Sequence, residues 1–133
     1  MARDKSLLMA DGVDMSAFTA AAHPSTSIDL AAADHQVNAG GRFMLKVSIE
    51  ESLDSSGAAT VDFQFEESDD DTTFTDTDHV TGATGYATFI AGYTVFHVPL
   101  PINLKRYVRM NAVVATAALT GGKYSAGIEQ LAS

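Results

Sequence analysis

The sequence predicts an all-β fold, an antiparallel β-sandwich of jelly-roll type with an irregular N-terminal arm. Three observations predict it. Apolar residues recur with period two in one segment after another, and polar turn residues collect between those segments. No segment carries a sustained helical period, MSAFTAAA at residues 15–22 being the nearest approach. Many short strands at regular spacing favour a sandwich over a layered helix and sheet arrangement.

The clearest strand is RFMLKVSIE, where Phe43, Leu45, Val47 and Ile49 alternate with Met44, Lys46, Ser48 and Glu50. ATVDFQFEES repeats the pattern, with Val61, Phe63 and Phe65 inward and Asp62, Gln64 and Glu66 outward. The polar DSSGA between them reads as a turn joining two sequential antiparallel strands. YATFI and GYTVFHVPL follow as strands split at Ala91-Gly92, and Pro99 and Pro101 end the second because proline donates no ladder hydrogen bond. Residues 106–115 form another strand, with Val108, Met110, Ala112 and Val114 opposite Tyr107, Arg109, Asn111 and Val113. A turn at Thr120, Gly121 and Gly122 leads to a last strand with Tyr124, Ala126 and Ile128 on one face, the two making a terminal hairpin.

Residues 1–26 differ in kind. Leu7, Leu8, Met9, Met15 and Phe18 follow no period, so this segment reads as an arm, and residues 27–133 as the sandwich domain. Five large apolar side chains without a periodic partner are candidates for burial against another protein.

Composition narrows the function. The chain has 133 residues, no cysteine and a formal net charge of −9, which fits one domain made in a cytoplasm, without disulfides or thiolate metal sites. The N-terminal apolar run is too short for a signal sequence, and nothing reaches membrane-spanning length, so no membrane partner is expected. Between Lys46 and Lys105 every charged residue is acidic. That field repels phosphate backbones and argues against direct nucleic-acid binding. Mutual repulsion among these carboxylates also predicts that mild acidification stabilises the protein.

Catalytic chemistry finds little footing, and the chain is expected not to be an enzyme and to need no cofactor or metal. His23, His35, His79 and His97 are scattered, and His97, inside a strand, reads as a structural histidine. Gly121-Gly122-Lys123 lacks the first glycine and the Ser or Thr of a phosphate loop. Glu50, Glu51 and Asp54 are the nearest thing to a hydrolase's carboxylate pair, and a solvated turn explains them better. Residues 67–79, ESDDDTTFTDTDH, are dense enough in carboxylates to attract calcium. An EF-hand register from Asp69, however, puts Phe74 at the glycine position and Val80 at the glutamate position. A solvated hairpin loop, with Asp and Thr side chains capping turn amides and Phe74 dipping to the core, fits better.

Tyr107, Arg109 and Val113 share the strand face opposite the core, a mix of aromatic, arginine and aliphatic side chains suited to an interface. With Leu7, Leu8, Met9, Met15 and Phe18 they are the candidate interface residues.

The order STSIDL, GGRFMLKVSIEES, SDDDTTFTD, IAGYTVFHVPLP, RYVRMNAVVAT and LTGGKYSAGI, from about residue 25 to the C-terminus, resembles the capsid cement, or decoration, proteins of tailed double-stranded DNA bacteriophages. The AGY segment and the stretch from RYVRMNAVVAT to GGKYSAGI carry the resemblance most specifically. It implies a jelly-roll virion protein on the outer surface of the head, a homo-oligomer (dimer favoured over trimer) that clamps neighbouring subunits of the major capsid protein. The competing expectation is a carbohydrate-binding or adhesive sandwich domain of a virion or cell surface, against which stands the lack of tryptophan to stack on a sugar.

Overall fold

The computed structural model describes residues 8–30, 43–99 and 104–130. The described residues form ten antiparallel strands: β1 (Leu8–Asp14), β2 (Ala22–Pro24), β3 (Ile28–Asp29), β4 (Phe43–Asp54), β5 (Thr60–Ser68), β6 (Thr75–Val80), β7 (Thr84–Gly85), β8 (Thr94–Pro99), β9 (Tyr107–Ala115) and β10 (Gly121–Gln130). One sheet runs β1-β10-β4-β8 and the other β2-β9-β5-β6, with β3 beside β9 and β7 beside β5.

The pairing is nested. β5 pairs with β6, β4 with β8, β2 with β9 and β1 with β10, so an antiparallel ribbon folded at the β5–β6 turn is rolled around the core. The cross-links β4–β10 and β5–β9 close it into a jelly roll.

Period two governs the core as the sequence implies. Leu45, Val47, Ile49, Val61, Phe63, Phe65, Val108, Met110, Ala112, Val114, Tyr124, Ala126 and Ile128 are all buried between the sheets. Phe63 joins the layers, its ring 5.3 Å from that of Tyr124 across the core and 5.1 Å, edge-on, from Phe89.

Five expectations about pairing, strands and burial need correction. β4 and β5 do not pair with each other, and neither do β9 and β10; each consecutive pair lies in opposite sheets. Turn residues mark where a strand ends, and the same DSSGA or ATAALT can return the chain beside itself or carry it across the core. YATFI is not a strand: Tyr86–Thr88 form a single 3-10 turn that delivers Phe89 into the core. Phe74 does not dip inward but is half-buried beside Arg109. His97 is exposed, opposite Lys46 on an edge strand.

The arm is the largest correction. From Leu8 onward it belongs to the sandwich: β1 is an edge strand on β10, and β2 pairs with β9 through Ala22, His23 and Pro24. Met9 and Met15 are buried in the core, and Phe18 packs against it with its ring stacked 4.1 Å from His23. The irregular apolar spacing has a physical cause. β1 is bulged on both sides of Ala10, and Gly12 sits at φ +59, so inward positions do not recur every second residue. Leu7 lies outside the described residues.

Candidate interaction surface

Two outer surfaces are candidates, and β9 builds the first. Its outward side chains are Tyr107, Arg109, Asn111 and Val113, the candidate interface face. Tyr107 and Val113 are half-buried on it. Arg109 is already occupied: Nε donates to Glu66 Oε1 at 2.8 Å, and the guanidinium carbon lies 3.9 Å from the centroid of the Phe74 ring. Beneath it Glu66 is only 7% and Asn111 only 6% exposed. Asn111 Nδ2 donates to Glu66 Oε2 at 3.2 Å, while its carbonyl oxygen is buried without a partner among the described residues. Neighbouring Asp76 has its carboxyl held above the ordinary range, first by desolvation and then by the charge of Glu66. This face is thus a polar layer over β5 and β9 that, among the described residues, leaves the Asn111 carbonyl oxygen unpartnered, and its arginine is engaged with Glu66 and Phe74.

The β5–β6 loop beside it is a capped hairpin. Asp70 Oδ1 accepts from the backbone N–H groups of Thr72 and Thr73 at 2.9 and 3.0 Å and from the Ser68 hydroxyl at 2.8 Å. These bonds hold the Asp70 carboxyl down to about 2. Among the described residues no group of three His, Cys, Asp or Glu side chains is arranged to hold a metal ion.

The second surface is one whole end of the sandwich. Four connections meet there: residues 15–21, 55–59, 81–93 and 116–120. Hydrogen bonds tie them into one body. Leu119 N–H donates to the Phe18 carbonyl, Thr120 N–H to that of Asp54, Tyr86 N–H to that of Ala59 and Leu53 N–H to that of Phe89, all between 2.8 and 3.0 Å. Ser55 Oγ donates to the Ala118 carbonyl at 2.8 Å, and Gly57 lies so close to Ala117 that a Cβ there would stand 2.8 Å from its methyl. None of the four connections contains an Asp, Glu, Lys or Arg, although the chain carries a net charge of −9. Exposed alanines, threonines and glycines cover this end, together with Ile90 at 57% and Tyr93 at 39% exposure, while Asp14, Asp54, Glu50 and Glu51 stand exposed where the strands meet it.

Sequence reasoning passed over this surface. Its signal was available as four uncharged stretches, residues 15–28, 55–61, 79–104 and 110–122, but only the topology brings parts of them to one end. The arm candidates divide differently: Met9, Met15 and Phe18 face the core or its margin, and Leu8 is half-buried opposite Gly127.

Fold and surface together define a jelly-roll protein with one polar flank and one neutral end. A family model, Bbp16, matches residues 13–128, and the chain belongs to the Bbp16 family, whose name suggests a phage-related protein. A search of curated proteins finds no match.

Proposed function

We propose that the chain is a structural virion protein of a tailed phage, a cement protein that binds the outside of the head and clamps neighbouring subunits of the major capsid protein. The observation that carries this reading is the uncharged loop end on a strongly acidic body. Interface cores are depleted of charge, and small side chains lose little rotamer entropy when covered, so such an end suits tight apposition to another protein. The acidic remainder favours solubility of the chain before it docks. Family membership supports the phage assignment, and the resemblance of residues 25–133 to decoration proteins supports the place on the shell.

The test is direct. Purified heads of the phage that encodes the chain are stripped, and the chain is added back. The expected result is saturable co-sedimentation with intact shells and a raised shell melting temperature. Absence of the chain from purified virions, together with failure to bind stripped shells, overturns the reading.

A further inference from the structure

The geometry points to the Ile90–Tyr93 turn as the anchor by which this end grips a shell subunit, inserting into an apolar recess with a neutral or basic rim. This rests on the cement reading and adds to it the contact residues and the partner's chemistry.

Among the described residues only Val80, Ile90 and Tyr93 are large hydrophobics that stay exposed, and two of the three share one four-residue turn. The turn is built to hold its shape. Tyr93 N–H donates to the Ile90 carbonyl at 2.9 Å, and Gly92 at φ +88 supplies the third-position conformation that a type II turn requires. Both flanks are fastened to β4. Gly92 N–H donates to the Ile49 carbonyl at 2.8 Å and Ile49 N–H to the Tyr93 carbonyl at 2.9 Å. Ala91 N–H donates to Ser52 Oγ at 2.9 Å. Below it Phe89 is buried in the core and meets the Tyr93 ring edge-on at 5.6 Å.

Satisfied backbone groups, a buried aromatic root and an outward Ile and Tyr make a preorganised protrusion. It pays little ordering entropy on docking and carries residue types that dominate interface energetics. Charge selects the partner. Glu50 and Glu51 on β4 are engaged toward β10, where Ser125 Oγ donates to Glu50 Oε2 and Lys123 Nζ lies 3.1 Å from Glu51 Oε2, so the selection rests on net charge: every copy of the chain carries −9, which disfavours an acidic rim and favours a neutral or basic one. A second copy fits poorly, because a protrusion docking elsewhere on an identical chain is a head-to-tail contact that need not close.

The experiment compares the full-length chain with Ile90→Ser and Ala91→Glu for binding to stripped shells. Both positions are exposed, so melting temperatures close to wild type are expected and confirm folding. The expected result is at least tenfold weaker shell binding for both variants. Wild-type decoration with undiminished binding by both folded variants overturns this inference alone, as does loss of self-association with shell binding unchanged. A wild-type chain that leaves shells bare overturns the cement reading and this inference with it.

Discussion

Arg109 and Phe74 form a stacked pair on the outer face of the β9 sheet, the guanidinium carbon 3.9 Å from the ring centroid. The stack holds the cation over Glu66, whose carboxylate is nearly removed from solvent. Arg109 thus serves the fold: it neutralises a carboxylate that β5 buries, and Phe74 keeps it in place.

Arg109→Ala is expected to cost about 3 kcal/mol, because it leaves the Glu66 carboxylate buried without its cationic partner. The double variant Glu66→Gln with Arg109→Met should recover most of that loss, since it removes the charge along with its partner. Urea unfolding of the single and double variants measures both values; equal destabilisation in the two would contradict the assignment.

Asp76 sets an opposite pH dependence to Asp70. Its folded pKa is raised, so the native state takes up a proton before the unfolded chain does. Stability from this group therefore rises as pH falls through the raised value toward the ordinary 3.8. Asp76→Asn should melt higher than wild type at neutral pH, with the gap closing on acidification. Asp70 has a lowered pKa, so its contribution is present above 3.8 and is lost as pH falls toward about 2. Thermal melts across this range test both signs, and a gap for Asp76→Asn that widened on acidification would refute the first.

Gly122 illustrates a close approach that no side chain survives. It sits at φ +124, and a Cβ there would come within 2.2 Å of Leu53 Cδ2 and 2.9 Å of Leu53 Cα. Gly122→Ala should cost at least about 3 kcal/mol through overlap and backbone strain together. Gly92→Ala, at φ +88 with nothing within 4 Å, should cost about 1–2 kcal/mol from strain alone. Similar costs at the two positions would show that packing against Leu53 is not the cause.

The inward faces of β4, β5, β9 and β10 were legible because a half-buried strand writes its face into every second residue. Which strands neighbour one another was not. The nested pairing depends on sheet-crossing connections such as 55–59 and 116–120, whose residues turn a chain equally well in either direction. The neutral end was invisible for the same reason, since its four pieces are distant in sequence. β1 was missed because its bulges and Gly12 break the period, so that Met9 and Ala10 are both buried although adjacent.

The N-terminal segment gives the sharpest test of that correction. Met15 is fully buried, its N–H donates to the Gly122 carbonyl at 2.8 Å, and β1 covers the free edge of β10. Met15→Ala should therefore cost about 3 kcal/mol from lost apolar burial and the cavity left behind. Deleting residues 1–21 removes β1, Met9, Met15 and Phe18 together. It exposes the β10 edge as a template for aggregation, so the truncated chain should be unfolded or aggregated. Circular dichroism and sedimentation of the two proteins decide the matter. A truncated chain that stayed soluble with cooperative, wild-type-like melting would show that the segment is an accessory arm after all, and that the sandwich closes without it.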